Sequence, residues 1–297
     1  MNLLITGAWK SGEDYKEEIE RMGHTVAFAP REDEAFLVSG DWVEGLICSG
    51  GFFANHDIRD FPNLRYLQVE SAGLDKVPLD YVREHGIELH NARGVYSVPM
   101  AEYAVGGVLS LYKHLAGFEE KKKAHRWEKD RGLSELFGKT VVVIGCGSIG
   151  TECAKRFSAF GCRVVGVDAF PREAADYAEM VGLSELDGTL KTADVVVLTV
   201  PLSEETRHLM NAERLALLKP TAVLVSMARG PIVDEKALVE TLPKIGGAVL
   251  DVFEEEPLSE KSPLWDMENV ILTPHNSFIG ENNRARLDAV IMGNLRK

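Results

Sequence analysis

Cysteine and positive charge are scarce in this 297-residue sequence, and it has no long apolar run. The four cysteines, Cys48, Cys146, Cys153 and Cys162, are scattered, and no two have the spacing of a zinc knuckle. Neither a disulfide scaffold nor a zinc knuckle is therefore expected, and reduced thiols in a cytoplasmic protein are. No apolar stretch approaches the roughly 20 residues that a membrane span needs. The start, Met1 to Gly7, enters a strand-like run without a basic segment, which argues against a signal peptide. Lys and Arg number 33 against 46 Asp and Glu, a net charge of -13. Such a surface repels nucleic acid phosphates and anionic lipid headgroups, so neither nucleic acid nor membrane is an expected partner. A small anionic substrate would meet the same field, and binding one requires a local cationic site.

What is present is a soluble globular composition, 45% hydrophobic and 27% charged, which is enough for a sizeable core and argues against disorder. At roughly 150 residues per domain the length suggests two domains. Short runs of Val, Ile and Leu alternate with longer amphipathic segments, the pattern of a parallel sheet covered by helices on both faces; the fold class is α/β. Strands are expected at 3–6, 25–29, 46–48, 64–69 and 87–89, and a polar helical stretch at 11–22. One long helix is expected over 100–126, apolar and small in its first half and charged in its second. Six stronger strands follow, at 140–144, 163–167, 195–200, 222–226, 248–252 and 270–273, and fit one doubly wound sheet. A last helix is expected at 281–295. The halves look like two copies of one architecture.

The string Gly145-Cys146-Gly147-Ser148-Ile149-Gly150 fits G-x-G-x-x-G. Alone it is weak, but it follows the buried strand 140–144 and opens a helical pattern over 149–160. A tight turn without Cβ atoms lets a pyrophosphate approach the backbone at a helix N-terminus. Asp168 ends the next strand, where a carboxylate hydrogen-bonds a ribose diol and repels a 2′-phosphate, so NAD (NADH) is the expected cofactor. The alternative is a structural strand-helix-strand unit with Asp168 as a cap. Arg172, close by, favours the phosphate and leaves NADP open.

Three further residues each follow a strand of this second series, where ligands of such sheets bind: Arg229, Glu256 and His275. A histidine exchanges protons near neutral pH, a neighbouring carboxylate orients it and favours its protonated form, and an arginine holds a carboxylate bidentately. Together they suit hydride transfer to a 2-keto acid. Singly, the histidine reads as a satisfied residue, the arginine as an ion-paired one, and Glu254 to Glu256 as an acidic loop.

With these residues the sequence resembles the D-isomer-specific 2-hydroxyacid dehydrogenases. The matching stretches are Ser71 to Asp75, Val98 to Glu102, the glycine turn, Pro201-Leu202, Ala228-Arg229-Gly230, Leu250 to Pro257 and Thr273-Pro274-His275. The resemblance implies two Rossmann-like parallel-sheet domains, with the NAD-binding domain (96–275) inserted into a substrate-binding domain (1–95 and 276–297). It implies that Arg229 binds the substrate's carboxylate and carbonyl oxygen, that His275 protonates that oxygen, and that Glu256 holds and charges His275. The Ala72-Gly73 turn would offer N–H groups to the substrate carboxylate. Gly145, Gly147, Ser148, Ile149 and Gly150 would meet the pyrophosphate, Val200, Pro201 and Ala228 would border the cofactor, and Asp251 would hydrogen-bond its carboxamide. No metal is implied. A homodimer around the helix after Pro99 and the arm 115–136 is implied, and a small 2-keto or 2-hydroxy acid is the implied substrate.

The sequence departs from the family pattern in a shorter segment at 241–247 and in Phe278, which stands where it can shape the substrate pocket. Phe52 and Phe53 either line a cleft or belong to the core. Lys76 and Arg93 either receive a substrate phosphate or are solvated. A reading of another class stays open, a dinucleotide-sensing protein resembling corepressors of this fold, with little or no turnover.

Overall fold

The computed structural model describes residues 1–296. The chain divides into two compact units, Met1–Tyr96 together with the described residues from Gly280 on, and Ser97–Ile279.

The first unit holds β1 (Asn2–Thr6), α1 (Lys16–Arg21), β2 (Thr25–Ala29), β3 (Gly45–Cys48), β4 (Tyr66–Val69), α2 (Leu79–Glu84) and β5 (Glu88–His90). All pairings are parallel, in the order β2-β1-β3-β4-β5. Period-two alternation sends Leu4, Leu46 and Leu67 to one face, where they pack with Phe52, Phe61 and Val82. Leu3, Ile5, Ile47 and Tyr66 go to the other, where the chain's last helix covers them. That helix, Asn283–Leu295, buries Ile291, Met292 and Leu295 against this sheet. Polar ties back it: Trp9 Nε1 donates to Asp288 (2.7 Å), Arg284 Nε to Ser11 (2.6 Å), and Asn294 Nδ2 to Gln68 (2.9 Å).

The second unit opens with α3 (Ser97–Tyr112) and α4 (Leu115–Lys123). The single helix expected over 100–126 is thus two. His114 takes a left-handed conformation (φ 49°), which interrupts the i to i−4 ladder, and its ring bonds Asp130 at 3.0 Å. Then come β6 (Thr140–Ile144), α5 (Ser148–Ala159), β7 (Arg163–Val167), β8 (Glu179–Val181), α6 (Leu186–Leu190), β9 (Val195–Leu198), α7 (Ala212–Leu215), β10 (Val223–Ser226), α8 (Glu235–Thr241), β11 (Gly247–Leu250) and β12 (Val270–Leu272). The closing helix of the first unit, Asn283–Leu295, is α9. The sheet has seven parallel strands, β12-β11-β10-β9-β6-β7-β8, where six were expected. β8 escaped because an edge strand of three residues beginning with Glu179 carries no apolar run.

The strand order reverses direction between β6 and β9, the switch point beside which open α/β sheets bind their ligands. The expected fold class holds for both units. The four cysteines are free and buried. Among the described residues no helix is long and apolar enough to cross a membrane.

Candidate active site

The glycine turn stands at the C-terminal end of β6, at the switch point. Gly145 has φ 92°, and a Cβ there would lie 2.7 Å from the Val200 backbone nitrogen, so only glycine makes this turn. Gly147 caps α5 without any side-chain hydrogen bond, and its Cβ position faces open space. The first-turn N–H groups of α5 are therefore left to an anion, and the exposed Gly147 with the half-buried Ser148 and Ile149 gives it access. This cradle fits a dinucleotide pyrophosphate. Gly145 and Gly150 are buried behind it. Val200, Pro201 and Ala228 all keep exposed surface.

Asp168 follows β7 and stays half-buried. Its carboxylate accepts the Cys146 N–H (2.7 Å) and the Phe170 N–H (2.9 Å), so it braces the glycine turn while facing it. Arg172 Nη2 reaches the same turn and donates to the Cys146 carbonyl at 2.8 Å.

His275 and Glu256 meet directly. His275 Nδ1 lies 2.8 Å from Glu256 Oε2, and the other carboxylate oxygen accepts the Phe253 N–H at 3.0 Å. A carboxylate only accepts, so Nδ1 carries the hydrogen and Nε2 is left for another partner. Arg229 follows β10, with its side chain half-buried and Nη1 donating to the Ala228 carbonyl at 2.8 Å. The next residue ties this turn to the Glu256 loop. A Cβ on Gly230 would fall 1.8 Å from the Phe253 carbonyl oxygen, so the two backbones touch. Phe278 stands edge-on to His275, with centroids 6.0 Å apart.

Asp251 directly follows β11. It is 0% exposed, and its carboxylate accepts the Thr273 hydroxyl (2.5 Å) and the N–H groups of Asn276 (2.7 Å) and Ser277 (2.9 Å). The same bonds explain why Asn276 to Ile279 belong to the second unit.

Tyr103 on α3 was not singled out in the sequence, although its hydroxyl bonds Thr273 at 2.6 Å. The available signal was a phenol among small apolar residues, whose O–H needs a partner when buried. Burial pushes its pKa up to about 12, with the Thr273 bond acting against that shift and the Asp251 charge adding to it.

Ala72 and Gly73 lie in the first unit, in the turn after β4. Asn91 Nδ2 donates to the Ala72 carbonyl (2.7 Å) and Ser71 Oγ to the Gly73 carbonyl (2.6 Å). In a trans peptide the N–H points opposite to the carbonyl, so these bonds aim the N–H groups of Gly73 and Leu74 the other way. Glu70, two residues before Ala72, has its pKa raised to about 7, by burial first and by the Glu32 charge second. Phe52 is core, 1% exposed and stacked on His56 and Phe36, while Phe53 stands edge-on to it. Lys76 and Arg93 are not brought together. Lys76 lines a shallow hollow with Phe53 and His56, and Arg93 an open groove with His90 and Asn294.

Residues 105–277 match the family model described as "D-isomer specific 2-hydroxyacid dehydrogenase, NAD binding domain". The chain is 33% identical over 291 residues, 96% of its length, to a D-3-phosphoglycerate dehydrogenase from Methanocaldococcus jannaschii, of which it covers 55%. It thus spans about half the length of that relative. It is 35% identical over 242 residues to a glyoxylate reductase from Thermofilum pendens, covering 79% of this chain and 71% of that protein. Among solved structures, a D-isomer specific 2-hydroxyacid dehydrogenase from Xanthobacter autotrophicus Py2, in complex with NADPH and MES, superposes with a TM-score of 0.79 at 32% identity, covering 99% of this chain and 93% of that one. With its nucleotide-binding domain matched and nearly all of its length aligned to such a relative, the chain belongs to the D-isomer-specific 2-hydroxyacid dehydrogenase family.

Proposed function

We propose that the protein is an NAD-dependent oxidoreductase that interconverts a small 2-keto acid and its D-2-hydroxy acid, with His275 as acid and base. The observation that carries this reading is the Glu256–His275 pair at 2.8 Å, on the loop whose backbone touches the Arg229–Gly230 turn. Gly147, Ser148, Ile149 and the turn glycines hold the pyrophosphate, and Asp168 takes the ribose diol. A reduced nicotinamide, when bound, supplies the hydride. Arg229 holds the substrate's carboxylate and its carbonyl oxygen in a bidentate grip. As C2 gains the hydride, His275 Nε2 gives its proton to the developing alkoxide. Glu256 stabilises the imidazolium before transfer, and solvent reprotonates the ring afterwards. In the reverse direction His275 is the base.

Asp168 disfavours a 2′-phosphate by charge, and Arg172 beside it lessens that penalty. The expected outcome is preference for NADH with measurable use of NADPH. A panel of glyoxylate, hydroxypyruvate and a phosphorylated three-carbon keto acid, run with each cofactor, tests both parts. Failure of every acid with both cofactors would refute the reading and favour a dinucleotide sensor, and equal rates with the two cofactors would remove Asp168 from its assigned part.

The proposal includes a homodimer. The segment from α4 to β6 exposes Leu115, Trp127, Leu133 and Phe137, apolar side chains that a partner surface would cover. Sedimentation velocity is expected to give twice the chain mass, and a monomer throughout the micromolar range would count against it.

A further inference from the structure

The loop that carries Glu256 is anchored in the core only at its ends. Phe253 is buried and Leu258 packs on the apolar cluster of the seven-stranded sheet, while Glu254, Glu255, Glu256 and Pro257 are all exposed. Apolar packing cannot fix four such residues, so polar bonds must. Charge works against them, because three successive carboxylates stand near Glu235 at the start of α8. Burial pushes the Glu235 carboxyl up, the Glu254 N–H acts against that shift, and the charges of Glu254 and Glu255 add to it.

Two bonds hold Glu254. Its N–H donates to Glu235 Oε2 at 3.1 Å, and its carboxylate lies 2.6 Å from His208 Nε2. A carboxylate only accepts, so Nε2 of His208 carries the hydrogen. His208 belongs to the segment after β9 and is itself fixed. Its backbone is left-handed (φ 50°), its N–H donates to the Pro231 carbonyl at 2.8 Å, and Met210 pairs with Val233 just beyond it. Pro231 to Val233 continue the Arg229–Gly230 turn, since the N–H groups of Ile232 and Val233 return to the carbonyls of Arg229 (3.3 Å) and Gly230 (3.0 Å). His208 thus joins the segment after Arg229 through its backbone and the loop of Glu256 through its ring.

We propose that His208 is a positioning residue for the Glu256–His275 pair: through Glu254 it fixes the loop from which Glu256 reaches His275, on the same frame that carries Arg229. This part presupposes that His275 is the proton donor. An ion pair whose side chains are 44% and 38% exposed contributes little to stability, so its loss is felt in geometry. His208→Asn tolerates the left-handed backbone but is too short to reach Glu254. It is expected to lower kcat by about tenfold, since misplacement of a reacting group by ~1 Å can cost ~100-fold. KM, NADH affinity and Tm stay as they are. The downfield proton resonance of His275 Nδ1 against Glu256 broadens or disappears. His208→Gln, which puts an amide N–H close to where Nε2 stood, restores both turnover and resonance. Glu254→Ala changes an exposed side chain, repeats the asparagine pattern and serves if the asparagine variant does not fold. The double variant is no worse than either single one, because both remove the same link.

Turnover unchanged in His208→Asn, a glutamine variant as impaired as the asparagine one, or additive losses in the double variant would each overturn the proposal. A fall in NADH affinity in step with kcat would also overturn it, by making His208 part of the cofactor's border. If the unsubstituted protein reduces none of the acids, the function reading fails separately. The resonance still reports on the link from His208 to the Glu256 loop.

Discussion

His275→Gln is expected to bind NADH as the unsubstituted protein does and to turn over at least ~100-fold more slowly, the lower end of what general acid–base catalysis contributes. Glutamine has a similar reach and can still donate to Glu256, so the loop keeps its main contact. What is lost is a second nitrogen able to exchange a proton at neutral pH. The cost of a left-handed backbone at position 275 is borne by histidine already and is about the same for glutamine, so the fold is not the casualty. Steady-state turnover with the best acid of the panel, set beside a fluorescence titration with NADH, separates the two effects. Turnover near normal would remove His275 from the chemistry, whereas joint loss of turnover and NADH affinity would indicate that the loop, not the proton, was damaged.

How far the sequence alone carries can be seen at particular residues. The runs at β6, β7, β9 and β10 are buried on both faces and so read as unbroken apolar segments. β8 has no such run, since its three residues begin with the exposed Glu179. The glycine turn was legible because its requirements are local: a positive φ at Gly145 and a bare helix start at Gly147. Arg229, Glu256 and His275 stand out in the sequence by their places after strands, but which of them meet is decided by the fold, which puts His275 against Glu256.

The surroundings of Asp251 are not legible in the sequence, for a physical reason. Five residues of spacing locate it before Glu256, but whether its oxygens are free depends on Thr273, Asn276 and Ser277, which arrive from another strand end. Tyr103 is 170 positions from Thr273 in sequence, and no periodicity joins them. Phe52 and its neighbours were ambiguous for the same reason: an aromatic after a strand points inward or outward according to what packs on it, and here Phe36, His56 and Phe61 enclose it.

Arg229→Gln is expected to lower kcat/KM by ~100-fold to ~1,000-fold, the scale on which a preorganised donor at a developing oxyanion acts. Two losses combine. The substrate carboxylate is held in the ground and transition states alike, so its release raises KM; the alkoxide charge develops only as the hydride arrives, so its release lowers kcat. Arg229→Lys keeps a positive charge but not the planar fork, and should fall between the two proteins. The fold should survive both substitutions, since Arg229 has an extended backbone (φ −145°, ψ 140°) that any residue adopts and the tight contact with the Phe253 backbone belongs to Gly230. Affinity for NADH should be unaffected in both variants. The net charge of -13 makes this a demanding test, because without the guanidinium an anionic acid has little cationic help against the repulsion of the whole surface. Raising the salt concentration should therefore recover part of the lost KM effect in the glutamine variant by screening that repulsion. Unchanged kcat/KM in Arg229→Gln would mean that the substrate is held elsewhere.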